Sequence, residues 1–215
     1  MTAELNANRR PVRSRTQVIF HRLAQGLIRL GLTPNHVSVL SCVFGGIAGW
    51  AWWMAPTSSF GYIFLLIAFL GIQGRLICNL VDGLMAVEGG LKTKTGELFN
   101  EIPDRISDSL IFIGAGLSTS APTWGWAAAL TAMATAYIRV LGASMGAPHF
   151  FSGPMAKQHR MFVMTLALAG CAVEKYVGTW DQSVIWALAI ITFGSLFTCA
   201  NRLRKIAQAL RWGTI

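Results

Sequence analysis

The chain has 215 residues, of which 53% are hydrophobic and only 13% are charged, and its formal net charge is +9. Soluble domains carry about a quarter charged residues, so the composition excludes an ordinary soluble domain; it also excludes a disordered chain, which needs low hydrophobicity. Four cysteines without a Cys-x-x-Cys pair exclude a secreted domain built on disulfides. A chain this basic and apolar is expected at an anionic membrane surface. Its basic residues are spread along the chain, so we expect no nucleic-acid partner.

The N-terminal segment, residues 1–32, is predicted to be a basic arm followed by an amphipathic helix. The arm lacks the apolar core and cleavage pattern of a secretory signal, and it contains four arginines, Arg9, Arg10, Arg13 and Arg15. Over residues 16–32 apolar residues recur at helical spacing, while Arg22, Gln25 and Arg29 share the other face. We expect this helix to lie in the headgroup plane of a membrane. An ordinary helix packed on a soluble domain is the alternative.

Residues 33–215 are predicted to form one domain of six transmembrane helices, which makes the chain an all-α integral membrane protein. Thr33 is expected to cap the first of these helices, with Pro34 at its first position. Each stretch has about the length that a bilayer span needs. The expected spans cover residues 37–55, 60–82, 98–120, 124–145, 161–177 and 184–200, with a polar, glycine-rich connection over 83–97.

Basic residues outside the expected spans are distributed unevenly between the two sides of the membrane. The N-terminal arm, the 83–97 connection, the loop before the fifth span and the C-terminal tail hold nearly all of them. The three opposite loops together hold only Lys175. By the positive-inside rule, both termini and the 83–97 connection are expected in the cytoplasm.

Six of the nine acidic residues lie between positions 82 and 108, at the expected cytoplasmic ends of the second and third spans. Asn79 and Asp82 share one face of the second helix, and Asn100, Asp104 and Asp108 step by four along the third. Because carboxylates are costly to bury in a membrane, two facing sets of oxygen ligands indicate a function. Hard cations such as Mg²⁺ take oxygen ligands, and a metal at this face suits a phosphate-bearing substrate.

The same stretch resembles the signature of the CDP-alcohol phosphatidyltransferase family. That signature is D-x2-D-G-x2-A-R, a short spacer, and G-x3-D-x3-D. The matching positions here are Asn79, Asp82, Gly83, Ala86, Gly96, Asn100 and Asp104. Asn79 and Asn100 replace two of the four signature Asp residues, and Val87 replaces the Arg. The chain therefore resembles bacterial members of the family that carry Asn at these two positions.

The resemblance implies an active enzyme that transfers a phosphatidyl group from a CDP-linked donor such as CDP-diacylglycerol to an alcohol, with release of CMP. It implies Mg²⁺ or Mn²⁺ on Asn79, Asp82, Asn100 and Asp104, with Asp104 also the general base towards the acceptor hydroxyl and Asp108 a second candidate. Three small residues, Gly83, Ala86 and Gly96, are expected to let the nucleotide approach the helix backbone closely. It also implies a homodimer in a bacterial inner membrane, in contact with membrane lipids.

Several assignments stay open at this point. The two negative charges of Asp82 and Asp104 would balance one divalent cation. A second cation would need further negative charge from Asp108 or from substrate phosphates. Arg139 is expected either to bind an acceptor phosphate or to pair with Asp108. Lys157 and Arg160 are expected to hold a phosphate or to serve only as topological charge. The acceptor alcohol is undetermined, and the alternatives to a transferase are a catalytically silent membrane scaffold and an ion-coupled transporter.

Overall fold

The computed structural model describes residues 18–87, 89–91, 93, 95–151 and 153–212. These residues form seven helices and no strand, which confirms the all-α class. The helices in chain order are α1 (Val18–Arg29), α2 (Pro34–Met54), α3 (Gly61–Val87), α4 (Gly96–Leu117), α5 (Thr123–Ser144), α6 (Lys157–Tyr176) and α7 (Gln182–Trp212). The basic arm with Arg9, Arg10, Arg13 and Arg15 lies outside the described residues.

Helix α2 begins where the sequence predicts. Thr33 Oγ1 accepts a hydrogen bond from the His36 backbone N–H at 3.3 Å, and His36 Nδ1 accepts one from the Thr33 backbone N–H at 3.3 Å. This reciprocal pair satisfies two donors that would otherwise lack partners. Pro34 occupies the first helical position, where its missing N–H costs nothing.

Four of the helices, α2, α3, α5 and α7, are long and apolar enough to cross a membrane. The expected third and fifth spans correspond to α4 and α6, which have 22 and 20 residues. Both helices are long enough to cross, but they are more polar and fall outside that group of four. They are more polar because α4 and α6 carry most of the ion-paired side chains of the bundle.

Two helices extend beyond their expected ends. Helix α3 continues to Val87, so the polar connection expected over 83–97 is only the stretch between Val87 and Gly96. Helix α7 continues to Trp212, well past the expected end at position 200. In its extension Arg202 and Ile206 are buried. The extra turns therefore continue the packed bundle. Both helices extend beyond the point where their apolar stretches stop.

Small residues allow α2 to lie against α4 at very short distance. A methyl group added at Gly49 of α2 would collide with the Leu110 carbonyl of α4, and one added at Gly114 would collide with the Gly49 backbone. Close backbone approach through glycine is typical of helices that pack within membranes. Other helix contacts include those of α2 with α3, of α5 with α4 and α7, and of α6 with α3 and α7.

The bundle has a buried apolar centre and an apolar exterior. Trp52, Ile72, Phe112, Met161 and Leu188 belong to the central cluster and are fully or almost fully buried. Large apolar side chains also cover the outer faces of the helices, including Trp50, Trp126, Leu130, Trp186 and Phe193. Because the outer faces of the bundle are apolar and its helices are long enough to cross a bilayer, the chain is an integral membrane protein.

Helix α1 packs against α3 with one face only. Its Ala24 is buried in a second apolar cluster, with Val81 and Met85 of α3. Val18 and Ile19 at its start are exposed. The helix therefore covers the end of α3 that carries the signature residues and leaves other apolar side chains facing outward.

Candidate active site

A cavity of about 600 Å³ opens between α3, α4, α5, α6 and α7. Phe20 of α1 and Phe151 of the α5–α6 connection also contribute to its wall. Its volume is within the range of small-molecule and cofactor sites. Its lining is rich in charged and amide side chains, which is unusual in so apolar a protein and identifies it as the candidate active site.

Helices α3 and α4 supply oxygen ligands to one part of this cavity. Asn79 and Asp82 of α3 line it, and so do Asn100 and Asp104 of α4. The spacings of three and four residues keep each pair on one helical face. The structure thus brings together the four positions at which the sequence predicts metal ligands.

Two of these side chains are oriented by hydrogen bonds. The Asn79 amide donates through Nδ2 to the Arg75 carbonyl at 3.0 Å, so its carbonyl oxygen remains available as a ligand. Ser38 of α2 donates through Oγ to Asp82 Oδ2 at 2.5 Å. Both Ser38 and Asp82 are buried. Because Ser38 engages one carboxylate oxygen of Asp82, the orientation of the other oxygen is fixed as well.

A continuous network of ion pairs connects the cavity to the interior of the bundle. Helix α4 provides its carboxylates, and α3, α5 and α6 provide most of its cations. Asp104 forms a close ion pair with Lys157, and Asp108 pairs with Arg75 and, at 2.9 Å, with Arg160. Its remaining links are Arg75 with Asp104 at 3.6 Å, Arg105 with Asp104 at 3.8 Å, Arg105 with Glu101 at 3.7 Å and Arg139 with Glu101 at 2.5 Å.

Asp108 lies behind the cavity wall and is not among the residues that line the cavity. Its carboxylate is almost fully buried between the guanidinium groups of Arg75 and Arg160. The pairing of Asp108 with Arg139 that the sequence left open is therefore not the one observed, because Arg139 pairs with Glu101. Asp108 is placed to hold two arginines, one of which, Arg160, lines the cavity.

The other predicted binding residues divide into two groups. Gly83, Arg139, Lys157 and Arg160 line the cavity. Ala86 and Gly96 do not, and a methyl group added at Gly96 would make only an ordinary contact with Thr93. Gly96 is therefore not required for close packing in this structure.

Three residues of the site were missed by the sequence interpretation. Glu101 was expected to face water or lipid headgroups, as such acidic residues more often do, yet it lines the cavity. Arg75 stands four residues before Asn79, on the same helical face, and no role was predicted for it. Arg202 lies beyond the expected end of the last span at position 200, yet it is buried on α7 and donates to the Thr135 carbonyl at 2.5 Å. The four-residue step from Arg75 to Asn79 was the available signal for Arg75.

The donor set suits a divalent cation that also binds substrate phosphates. The described residues contain no cluster of three or more His, Cys, Asp and Glu side chains that could hold a metal ion, because two of the four converging ligands are Asn. Mg²⁺ commonly uses one or two carboxylates, with waters and substrate phosphates completing its shell. Asp104 Oδ1 is buried, and its close partner is the Lys157 ammonium group. Asp82, Asp104 and the two amide oxygens therefore fit a metal held jointly with a substrate.

Curated relatives of the chain are bacterial membrane proteins and lipid-synthesising enzymes. It is 24% identical over 178 residues to the inner membrane protein YnbA of Escherichia coli, covering 81% of this chain and 84% of that protein. It is 28% identical over 202 residues to phosphatidylinositol phosphate synthase of Corynebacterium glutamicum, covering 89% of this chain and 85% of that enzyme. No protein-family model matches the chain.

Solved structures with the same fold come from the phosphatidylinositol phosphate synthase of Mycobacterium tuberculosis. The structure with CDP-DAG bound superposes with a TM-score of 0.74 at 22% identity and covers 88% of this chain and 94% of that one. The structure in complex with manganese and citrate gives a TM-score of 0.73 at 21% identity, over 87% of this chain and 88% of that one. This likeness establishes the fold of the bundle.

Proposed function

We propose that the chain is a CDP-alcohol phosphotransferase that moves a phosphatidyl group from CDP-diacylglycerol to an alcohol and releases CMP, in phospholipid biosynthesis. The observation that carries the proposal is the convergence of Asn79, Asp82, Asn100 and Asp104 on one cavity among basic side chains. Relatives over most of the chain are phosphatidylinositol phosphate synthases, and the same fold binds CDP-DAG in one of them. The two Asn substitutions keep oxygen donors at both positions.

The divalent cation is Mg²⁺ or Mn²⁺, held by Asp82 and Asp104 with the amide oxygens of Asn79 and Asn100, where it neutralises charge on the donor pyrophosphate. Manganese is present in a structure of the M. tuberculosis relative. Ser38 supports this assignment because it orients Asp82, as partners of metal ligands generally do.

Asp104 accepts the proton of the acceptor hydroxyl. Its carboxylate lines the cavity, and its side chain is close to Lys157, which also lines the cavity. A carboxylate within reach of the attacking hydroxyl favours the alkoxide character that develops as the oxygen approaches phosphorus. Lys157 remains beside the transferred phosphate and balances its charge in the transition state.

Arg160 binds phosphate oxygens in this proposal. Its guanidinium is positioned by Asp108, by the Met155 carbonyl at 3.0 Å and by Thr135 Oγ1 at 3.4 Å. Its Nε is buried and has no hydrogen-bond acceptor among the residues that the structure describes. A phosphate oxygen is a suitable partner for this donor, because arginine binds phosphate through several N–H groups at once.

The acceptor is an alcohol that itself carries a phosphate. Among the described residues that line the cavity, five are cationic and three are carboxylates, which leaves two positive charges in excess. A dianionic phosphate satisfies that excess, and Arg139 is the cation that we assign to it. The relatives are named for a product whose headgroup carries a phosphate as well.

The proposed membrane arrangement has six spans, with α4 crossing between α2 and α5 and α6 crossing between α3 and α7. Both termini and the cavity face the cytoplasm, and α1 lies in the headgroup plane. The exposed apolar side chains Val18 and Ile19 of α1 support this placement. We also propose a bacterial inner membrane as its location and a homodimer as its assembly.

The test is identification of the lipid product. Purified protein in detergent is given CDP-diacylglycerol, Mg²⁺ and one acceptor at a time, from phosphorylated and unphosphorylated polyols and serine. Mass spectrometry is expected to show one new phospholipid, in equal amount to the CMP released. Glu97→Gln serves as a control, because Glu97 is exposed and does not line the cavity. A protein that makes no phospholipid from any acceptor contradicts the proposal.

A further inference from the structure

Arg139 is held by two groups at the wall of the cavity. Its Nη2 lies 2.5 Å from Glu101 Oε1, and its guanidinium carbon lies 5.2 Å from the centre of the Phe151 ring. Phe151 therefore occupies one face of the guanidinium, and Glu101 occupies one of its edges. An anion that enters the cavity meets Arg139 where Glu101 is already bound.

Glu101 is the least buried carboxylate of the ion-pair network. Its side chain is 23% exposed, compared with 5% for Asp104 and 2% for Asp108. Its second oxygen lies 3.7 Å from Arg105, one helical turn further along α4. An ion pair with a partly exposed partner contributes less free energy than a fully buried one, because water screens its charges. Glu101 is therefore the network carboxylate that water and a competing anion can replace at the lowest cost.

Glu101 has the same chemistry towards Arg139 as a substrate phosphate has. Both present oxygens with negative charge in the plane of the guanidinium. A phosphate dianion offers more charge and more oxygens than one carboxylate, whereas an uncharged hydroxyl offers neither. The exchange at Arg139 is thus favourable for a phosphorylated acceptor and unfavourable for an unphosphorylated one.

We propose that Glu101 determines acceptor specificity, as an internal counter-ion that covers Arg139 until the phosphate of the acceptor displaces it. This inference rests on the proposed function and adds to it the residue that distinguishes phosphorylated from unphosphorylated acceptors. Arg139 binds the acceptor phosphate once Glu101 has turned towards Arg105. Acceptors without a phosphate leave the Glu101–Arg139 pair intact.

Binding of inorganic phosphate tests the exchange without any turnover. Isothermal titration calorimetry is performed on the detergent-purified wild-type chain, on Glu101→Gln and on the control Glu97→Gln. Glutamine keeps the size of the side chain but removes its charge, so Glu101→Gln is expected to bind phosphate about tenfold more tightly. Glu97→Gln, which removes a charge one turn earlier on the same helix, is expected to bind as the wild type does.

A double substitution shows whether the effect passes through Arg139. In an Arg139→Gln background, Glu101→Gln is expected to have no further effect on phosphate affinity. A gain that persists without Arg139 reflects general charge and overturns the proposal, as does a Glu101→Gln variant that binds phosphate no better than the wild type. An equal gain in affinity for CDP assigns Arg139 to the donor and also overturns it.

Turnover gives a second, separate measurement. Glu101→Gln is expected to lower KM for a phosphorylated acceptor about tenfold and to leave KM for its unphosphorylated counterpart unchanged. A lowered KM for both overturns the proposed specificity. If no acceptor supports CMP release while phosphate binding still responds to Glu101 through Arg139, the proposed function fails and the counter-ion role stands.

Discussion

Ser38 Oγ and Asp82 Oδ2 are 2.5 Å apart, and this hydrogen bond joins α2 to the oxygen ligands of α3. The two residues are far apart in the sequence, and both are buried. Asp82 also lies near enough to Asp104 and Lys157 to interact with both charges. The hydroxyl therefore fixes one ligand of the proposed metal from a helix that contributes no ligand itself.

Replacing Ser38 by Ala is expected to weaken metal binding rather than to unfold the protein. Loss of a group that orients a metal ligand typically lowers metal affinity about 10- to 100-fold. The measurement is the Mn²⁺ concentration that gives half-maximal CMP release, with direct Mn²⁺ binding followed by electron paramagnetic resonance. Ser41→Ala is the matched control, because the Ser41 hydroxyl donates to the Ser38 carbonyl and not to a carboxylate. Equal metal affinity in wild type and Ser38→Ala would refute the assigned role.

Asp104→Asn is expected to reduce transfer about 1,000-fold, because general-base catalysis and a charged metal ligand are lost together. The substitution keeps the shape of the side chain, so the purified variant should remain folded by size-exclusion chromatography and thermal unfolding. CMP release at saturating acceptor is the measurement. Turnover near the wild-type rate would exclude Asp104 as base and as ligand.

Asp108→Asn is expected to affect stability first. Asp108 is the buried counter-ion of Arg75 and Arg160, and removing one partner of a buried ion pair costs about 3 kcal/mol or more. Thermal unfolding in detergent should show a clearly lower midpoint for Asp108→Asn than for Asp104→Asn. If Asp108→Asn unfolded like the wild type and had lost only its activity, Asp108 would take part in the reaction and would not act mainly as a structural counter-ion.

Gly49→Ala is expected to destabilise the bundle by about 1–3 kcal/mol, since extra volume at a tight contact forces the backbones apart. The added methyl group would lie 2.8 Å from the Leu110 carbonyl carbon of α4. Gly46→Ala is the matched control on the same helix, because its methyl group would meet only Leu110 Cδ1 at 3.7 Å. Thermal unfolding of the two variants gives the comparison. Equal stability would show that the α2–α4 contact is looser than described.

Much of this structure could be predicted from sequence because it is encoded locally. The Thr33 cap, the helix starts and the convergence of Asn79, Asp82, Asn100 and Asp104 follow from residue type and helical spacing. Helix ends were less predictable: α7 continues past position 200 because Arg202 and Ile206 pack against other helices, which no local pattern shows.

The ion-pair partners could not be predicted from sequence for the same reason. The sequence left open a pairing of Arg139 with Asp108, but the observed partner of Arg139 is Glu101. Which carboxylate it meets depends on how α5 crosses α4. The contacts of Ser38 with Asp82 and of Arg75 with Asp108 form only when α2, α3 and α4 pack together. Among the described residues, four helices are apolar enough to be identified as candidate spans, whereas α4 and α6 carry most of the ion-paired side chains and are more polar.

The most direct measurement is metal-dependent CMP release from CDP-diacylglycerol by the purified protein. Reactions contain a phosphorylated polyol as acceptor and either Mg²⁺, Mn²⁺ or a chelator, with Asp104→Asn assayed in parallel. We expect CMP release that requires both the acceptor and the metal, is abolished by the chelator, and is restored by added Mn²⁺. CMP release that persists in the chelator, or no release with any acceptor, would contradict the account, and a catalytically silent membrane scaffold would then be the better description.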